Sequence, residues 1–257
     1  MRLKIHNVGH GSCISLLHDN GNSMVWDCGH QDDYRPSTFL IHEGIRTIDR
    51  FFVSNYDQDH ISDLPNLRQN LNLPLLHRNT SIDQVSLRAL KRQGGPISAA
   101  MESMLDMIDG YNLGPPAIPP EFPNVQFSVY WNTFDDFEDT NNCSLVTFLD
   151  CNGLKFIFPG DLENAGWLKL LENVTFQQDL RGVDIFVASH HGRESGYCSD
   201  VFDICSPRVA VFSDSNIVHA SQDMSNTYGR HCSGIQFNGT PRSVISTRND
   251  GSVWWDL

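Results

Sequence analysis

The chain has 257 residues, of which 40% are hydrophobic and 10% aromatic, and this composition is typical of one globular domain with an ordinary core. It carries 18 Lys and Arg against 31 Asp and Glu, so its formal net charge is −13. This charge argues against passive, high-affinity binding of a nucleic-acid duplex, because such binding takes its affinity from cationic side chains on phosphates.

The first sixty residues have the pattern of short strands joined by tight turns. Asp19-Asn-Gly21 lies between two apolar runs and is a hairpin signal. The predicted strands of this region are residues 3–8, 13–17, 23–26 and 48–53. The last of them opens into Ser54-Asn-Tyr-Asp-Gln-Asp-His60, in which three metal-capable side chains fall within four residues: Asp57, Asp59 and His60.

The middle of the chain changes from strand patterns to helical ones. Residues 61–67 have the pattern of a helix start, and residues 81–109 repeat apolar side chains at helical spacing, with Ser81 as a candidate N-cap. Residues 110–123 are rich in Gly and Pro and predict a loop. We interpret residues 78–124 as an insertion that is either a helical cap on one sheet or a substrate lid or partner surface.

The second half returns to strands, and several of them end in loops with polar side chains. The predicted strands are residues 125–131, 144–150, 154–158, 183–188, 209–212, 244–246 and 252–255, with a short helix at 165–173. Asp161 follows one strand and His190 and His191 follow the next. The loop after 209–212 carries Ser213, Asn216 and His219. A divalent cation needs several ligands that converge from different elements, and these strand ends could supply them.

Seven motifs in order resemble the metallo-β-lactamase superfamily and, within it, the soluble hydrolase domain of ComEC-type competence proteins. The resemblance extends from about Met1 to Asp256. The motifs are Val8-Gly-His-Gly-Ser-Cys13, Trp26-Asp-Cys-Gly29, residues 54–60, Asn141-Asn-Cys-Ser-Leu-Val146, Pro159-Gly-Asp161, Ser189-His-His-Gly192 and the run from Ser213 through Asn216 to His219.

The resemblance implies an αββα sandwich of two mixed β-sheets flanked by helices, with residues 1–257 forming a single domain. It also implies a two-metal phosphodiesterase or nuclease that uses a metal-activated water. At the second metal position the matching ligands are Asp59, His60, Asp161 and His190. The first position departs from the family pattern, since its candidates are Asn55, Asp57 and Asn142, with asparagine in place of two expected histidines.

The remaining polar residues are predicted to serve the substrate. His191 is assigned to the substrate phosphate or to support of a ligand, and by resemblance His219 contacts phosphate or protonates the leaving oxygen. Asp27 is expected to orient the 54–60 loop. Substrate contacts are assigned to His10, Ser213 and Asn216, and direct catalytic roles to Asp59, His191 and His219.

The expected cofactor is one or two divalent cations per chain. The candidate ligands are rich in oxygen, and oxygen donors favour Mn²⁺ or Mg²⁺ over Zn²⁺, although Zn²⁺ stays an alternative. Two such ions would place positive charge where a substrate phosphate lands, which offsets the acidic surface.

We therefore expect a metal-dependent phosphodiesterase, with DNA or RNA cleavage favoured and small or cyclic nucleotides as another substrate class. The rival hypothesis is a catalytically weak binding or regulatory subunit, and a lactamase or thioesterase is a third. By family habit, a regulatory protein partner such as an ATPase in an antiviral defence system is also expected.

The cysteines and the N-terminus predict a compartment. The seven cysteines are an odd number without C-x-x-C spacing, which indicates a reducing environment. The N-terminus lacks the apolar run of a signal peptide, and no stretch approaches the ~20 apolar residues of a membrane span. A cytoplasmic protein with no membrane partner is expected.

Overall fold

Two six-stranded β-sheets lie face to face in this computed structural model, which describes residues 1–111, 118–216 and 220–257. The strands in chain order are β1 (Arg2–Ile5), β2 (Ile14–Leu17), β3 (Ser23–Trp26), β4 (Arg50–Phe52), β5 (Leu76–His77), β6 (Val125–Tyr130), β7 (Val146–Cys151), β8 (Leu154–Phe158), β9 (Ile185–Val187), β10 (Val209–Phe212), β11 (Ile235–Phe237), β12 (Thr240–Arg242), β13 (Val244–Ser246) and β14 (Val253–Asp256). Strands β11 and β12 form a separate two-stranded ribbon.

Helices cover the outer face of each sheet. They are α1 (Pro36–His42), α2 (Gln58–Ile61), α3 (Leu64–Asn70), α4 (Gln84–Gln93), α5 (Ala99–Gly110), α6 (Phe134–Phe137), α7 (Asn164–Leu170), α8 (Val174–Leu180), α9 (Ser199–Phe202), α10 (Ser225–Gly229) and α11 (Thr247–Asp250). Short 3₁₀ turns at Ser189–Gly192, Glu194–Gly196 and Ala220–Gln222 complete the described helical segments.

The first sheet has the strand order β14-β1-β2-β3-β4-β5. Strands β14 to β3 pair antiparallel and β3 to β5 pair parallel, so the sheet is mixed. The predicted hairpin is confirmed, because β2 and β3 pair antiparallel with Ile14 opposite Trp26.

The second sheet has the order β13-β10-β9-β8-β7-β6 and is also mixed. Strands β8, β9, β10 and β13 run parallel, whereas β6 and β7 pair antiparallel at the other side. Because neighbouring parallel strands end at one edge of a sheet, the loops after β8, β9 and β10 lie side by side.

Three apolar clusters show the layers of the sandwich. The cluster between the sheets includes Leu16, Trp26 and Phe52 from the first sheet and Phe156 and Val211 from the second. A second cluster lies between the first sheet and helices α1 and α3 to α5, and a third lies between the second sheet and helices α7 to α10. Each sheet therefore buries both faces, and the predicted αββα fold class is confirmed.

The predicted helical region after residue 78 forms the α4–α5 hairpin, packed on the outside of the first sheet. Helix α4 begins after Asp83, whose side chain accepts a hydrogen bond from the Ser86 amide, so the expected N-cap at Ser81 is wrong by two residues. Ser98 caps α5 in the same way. Part of the predicted Gly/Pro-rich loop, residues 112–117, lies outside the described residues.

Two further observations concern membrane-spanning helices and the state of the cysteines. Among the residues that the structure describes, no helix has the length and apolar character needed to cross a membrane. All seven cysteines are free thiols.

Candidate metal centre

Three loops meet at the edge where the parallel strands of both sheets end. Strand β4 leads into the 54–57 loop and then α2, which carries Asp59 and His60. In the second sheet, the loop after β8 carries Asp161 and the turn after β9 carries His191. The side chains therefore arrive from three separate strands, as the sequence predicted.

Asp59, His60, Asp161 and His191 form one group, in which one ligand atom from each lies within 4.8 Å of the others. Nε2 of His60 is 3.0 Å from Oδ1 of Asp161. Nε2 of His191 is 3.2 Å from Oδ2 of Asp59 and 3.4 Å from Oδ1 of Asp161. Two imidazoles and two carboxylates thus face one point.

Hydrogen bonds behind the group fix both rings. Nδ1 of His60 donates to Oδ2 of Asp27 over 2.8 Å, and Nδ1 of His191 donates to the backbone carbonyl of Ser213 over 2.8 Å. Asp27 also accepts from the Ser54 amide at 2.7 Å, so it holds the start of the 54–60 loop. With each Nδ1 engaged, both Nε2 atoms are left for the centre, as in metal-ligating histidines.

Several polar atoms of the group are buried without a hydrogen-bond partner. They are Nε2 of His60, Nε2 of His191 and Oδ1 of Asp161, which approach one another without hydrogen-bond geometry. Buried polar atoms are rarely left in this way, because each costs about 1–3 kcal/mol when unpaired. A divalent cation would satisfy all three, so the residues fit a metal ion.

The charges of the group shift its pKa values strongly. Burial alone would lower the pKa of His60, but the carboxylates of Asp161 and Asp27 outweigh it and raise that pKa well above its usual value. Burial also opposes the charged forms of Asp59 and Asp161, yet the neighbouring histidines hold both pKa values below their usual range. The site favours carboxylates beside positive charge, which a bound cation would supply.

Close backbone packing explains two glycine motifs. A Cβ on Gly29 would lie 2.1 Å from the Asp59 carbonyl oxygen, and one on Gly11 would lie 2.5 Å from the same atom. The Ser12 amide donates to this carbonyl at 3.2 Å. The turns at 8–13 and 26–29 therefore press against the backbone of Asp59 and fix its position.

The backbone after β9 is strained where it delivers its histidines. His190 and His191 have φ values of 50° and 55°, in the left-handed region that side chains other than glycine seldom adopt. Such a conformation costs of order 1–3 kcal/mol per residue and commonly marks a functional site.

His190 lies beside the group, not within it. Its Nε2 is 3.9 Å from Oδ2 of Asp161, while its Nδ1 is 3.0 Å from Ser195 Oγ and 3.3 Å from Glu163 Oε1. His190 was the predicted ligand, whereas the structure brings His191 into the group of four.

The three candidates for the first metal position do not join the group. Each has a partner from the protein itself. Asn55 donates to the Asn141 side chain, Asn142 accepts from the Gly166 amide and donates to Asp139, and Asp57 pairs with the ammonium of Lys91. The predicted preference for Mn²⁺ or Mg²⁺ was based on oxygen-donor side chains at both metal positions. In the group of four, the oxygen donors are those of Asp59 and Asp161, and the other two ligands are imidazoles.

His10 and Arg193 lie beside the group of four. His10 Nε2 lies 3.4 Å from Oδ2 of Asp59 and 3.2 Å from an Arg193 Nη atom, and its ring packs 4.5 Å from that of His191. Burial and the charge of His191 lower the pKa of His10 to about 4. His10 is 38% exposed, so a neutral imidazole and a guanidinium border the centre.

The other predicted substrate residues have different surroundings. Asn216 is exposed and lines a small cavity with His10, His191 and Arg193. Ser213 is buried, donates its hydroxyl to the Gly11 carbonyl at 2.7 Å, and supports His191 from behind. His219, the predicted phosphate contact or proton donor, lies outside the described residues.

Sequence reasoning missed Arg193, Glu163 and Lys91. Arg193 directly follows Ser189-His-His-Gly192, and a cation next to that motif was an available signal. Lys91 lies 34 positions from its partner Asp57, on a helix with no metal motif, so nothing local marks it.

The geometry can be compared with known proteins. A family model described as "Metallo-beta-lactamase superfamily" matches residues 7–190, which is most of the chain. The chain belongs to this superfamily. The matched region includes three residues of the group, Asp59, His60 and Asp161. The fourth, His191, directly follows the last matched residue.

A curated relative of this superfamily member is ComE operon protein 3 of Bacillus subtilis (strain 168). The two are 24% identical over 207 residues, which is 75% of this chain and 24% of that protein. The chain therefore spans about a quarter of the length of this relative.

Solved structures show the same fold at low identity. The diiron beta-hydroxylase CmlA from Streptomyces venezuelae aligns with a TM-score of 0.55 and 12% identity, over 99% of this chain and 54% of CmlA. Zn²⁺-bound PqqB from Methylobacterium extorquens aligns with a TM-score of 0.54 and 10% identity over 100% of both chains.

Proposed function

We propose that this metallo-hydrolase is a phosphodiesterase that cleaves DNA or RNA. The single observation that supports it best is the group of Asp59, His60, Asp161 and His191, with its buried unpaired ligand atoms. The resemblance to ComEC-type hydrolases and the relation to ComE operon protein 3 favour a phosphodiester substrate over a lactam or thioester.

The four residues would hold a divalent cation, which when bound would supply Lewis acidity and activate water. Asp59 and Asp161 bring the negative charge that binds the cation, and His60 and His191 are held in place by Asp27 and Ser213. With the cation bound, each ring would keep its proton on Nδ1, and the electron pair of Nε2 would point into the centre.

Arg193 and His10 are proposed to receive the substrate. A guanidinium is always charged and can bind two phosphate oxygens, which suits Arg193 to an anionic diester. Neutral His10 would orient the diester beside Asp59. His219 keeps its predicted role as proton donor to the leaving oxygen.

A small protein-bound cationic centre within an acidic chain favours particular substrates. With a net charge of −13, the surface repels long duplex DNA, so strand ends, single strands and short or cyclic nucleotides should be cleaved more readily. Mn²⁺ stays our proposed cation, together with Mg²⁺, and Zn²⁺ is the alternative that two imidazole ligands favour.

The test is cleavage of end-labelled single-stranded and double-stranded DNA with Mn²⁺, Mg²⁺ or Zn²⁺. Wild type should cleave in a metal-dependent way, Asp59→Ala/Asp161→Ala should lose cleavage, and Asp33→Ala, at an exposed carboxylate, should keep it. If metal-loaded wild type cleaves neither DNA, RNA nor bis(p-nitrophenyl) phosphate, the phosphodiesterase proposal is wrong.

The regulatory-subunit hypothesis remains the second candidate, because the first metal position lacks free ligands. It predicts metal-loaded protein without turnover that co-purifies with a partner protein, such as an ATPase. A strictly monomeric native species with turnover would contradict it.

A further inference from the structure

Asp57 is paired with a lysine from a distant helix. Nζ of Lys91, on α4, forms a close ion pair with Oδ1 of Asp57 and lies 3.1 Å from Oγ1 of Thr140. The Lys91 side chain is 18% exposed and that of Asp57 is 38% exposed, so the ammonium is the more buried partner of the pair. A fixed positive charge therefore sits on the carboxylate that was expected to bind the first ion.

The α4 helix that carries Lys91 is held firmly in place. Arg88 forms a two-fold hydrogen bond with Glu102 of α5, at 2.7 and 2.8 Å. Ser98, at the start of α5, donates to Gln58 of α2 at 2.6 Å. The hairpin within residues 78–124 is thus tied to the helix that bears Asp59 and His60, and Lys91 belongs to the centre's immediate surroundings.

Both side-chain polar atoms of Asn55 already have hydrogen-bond partners in the protein. Its Nδ2 donates to Asn141 Oδ1 at 3.0 Å and lies 3.4 Å from Ser144 Oγ, while its Oδ1 accepts from the Asp57 amide at 2.9 Å. Ser144 Oγ also accepts from the Asp161 amide at 3.1 Å, so Asn55 lies next to the group of four.

Asn142 is used in the same way by the backbone. Its Oδ1 accepts from the Gly166 amide in α7 at 2.8 Å, and its Nδ2 donates to Asp139 Oδ2 at 3.0 Å. Rotating this side chain toward a cation would leave the buried Gly166 amide without a partner, at a cost of about 1–3 kcal/mol. The residues of the first position do not fit a second ion.

We propose that the ammonium of Lys91 takes the place of the first ion, so that the centre binds one divalent cation per chain. This rests on the proposed metal-dependent function for its one remaining ion. Lys91 gives Asp57 a permanent counter-charge, and together with Arg193 it places protein cations on the substrate side of a one-ion centre. The substrate phosphate would then contact Lys91 at the position where a two-ion enzyme has its first metal ion.

The test is a count of bound ions in the full chain. Protein stripped with a chelator is titrated with Mn²⁺ and with Zn²⁺ and examined by native mass spectrometry and elemental analysis. Wild type should saturate at one ion per chain with either metal. Saturation at two ions would overturn the Lys91 inference while leaving the proposed function intact, whereas no bound ion would overturn both.

A set of variants tests whether Lys91 is what excludes the second ion. Asn55→His alone should still bind one ion, because Lys91 keeps Asp57 occupied. Asn55→His/Lys91→Ala should bind two, and the control Asn55→His/Arg92→Ala, which removes the adjacent exposed cation of α4, should bind one. Two ions in Asn55→His alone, or one in Asn55→His/Lys91→Ala, would contradict the proposal; Lys91→Met replaces Lys91→Ala if that variant fails to fold.

Discussion

The two halves of the candidate metal centre are built from adjacent residues yet differ in one respect. At the second position, His60, Asp161 and His191 leave buried atoms unpaired and pointing at a common centre. At the first position, Asn55 and Asn142 have every polar atom engaged, and Asp57 is paired with Lys91. Unpaired buried atoms, more than residue type, distinguish a place for a cation from a well-bonded polar cluster.

A comparison of two buried histidines shows the same difference. His6 bonds on both ring nitrogens, to Tyr34 Oη at 2.6 Å and Ser15 Oγ at 2.7 Å. His60 has Nδ1 bonded to Asp27 but Nε2 unpaired. His6 is therefore a structural histidine, and His60 is one prepared for a ligand.

The largest expected effect is a difference in metal content between one alanine substitution at the second metal position and one at the first. Asp161→Ala should remove both metal binding and hydrolysis, because it deletes the carboxylate that lies within 3.0 and 3.4 Å of the two histidines. Asn55→Ala should cost about 1–3 kcal/mol in stability for each buried partner left without a hydrogen bond, and this variant should keep its ion. Elemental analysis and denaturant unfolding of both variants check this, and metal loss in Asn55→Ala would break the comparison.

A smaller effect is expected for Asp27→Asn, which changes the support of His60 without touching the centre. The amide can no longer provide the charged acceptor for Nδ1, so metal affinity should fall about 10–100-fold. Competition with a chromophoric chelator measures the change. Asp63→Asn is the control, since Asp63 is equally buried but pairs with Arg35; an equal loss there would mean that the effect is merely structural.

The smallest effect concerns the structural histidine. Burial holds the pKa of His6 well below 6.5, so the folded protein keeps it neutral while the unfolded chain protonates it below pH 6.5. Its contribution to stability is therefore full above pH 6.5 and is lost as pH falls, by up to about 1.4 kcal/mol per pH unit. Urea unfolding at pH 7.5 and 5.5 measures this slope.

Two variants isolate that slope. His6→Gln should be less stable at pH 7.5 but should lose part of the pH dependence, and His42→Gln, at an exposed histidine, should keep it. An unchanged slope in His6→Gln would show that other groups cause the pH dependence.

Much of the fold and half of the centre could be predicted from sequence. Apolar runs ending in Pro-Gly-Asp161 or Ser189-His-His-Gly192 predicted strands with functional loops, and strands β8, β10 and β13 have the predicted bounds. Helix α8 was missed because its apolar residues, Phe176 and Leu180, are too few to give a clear period.

The rest depended on contacts that no local pattern records. Left-handed backbone angles at both His190 and His191 decide which of the two rings faces the metal centre. The pairing of Asp57 with Lys91 is decided by how α5 packs against both α4 and α2, and Arg193 reaches His10 across 183 positions of sequence. Tertiary packing determines these contacts, so sequence spacing alone could not give them.

The most direct test of the centre compares metal content in His191→Ala and His190→Ala, two neighbouring substitutions of the same kind. The geometry predicts that His191→Ala loses its ion, because Nε2 of His191 is one of the buried unpaired atoms of the group. His190→Ala should keep its ion, with intact folding checked in both by circular dichroism. Loss of the ion in His190→Ala together with retention in His191→Ala would contradict this account of the centre.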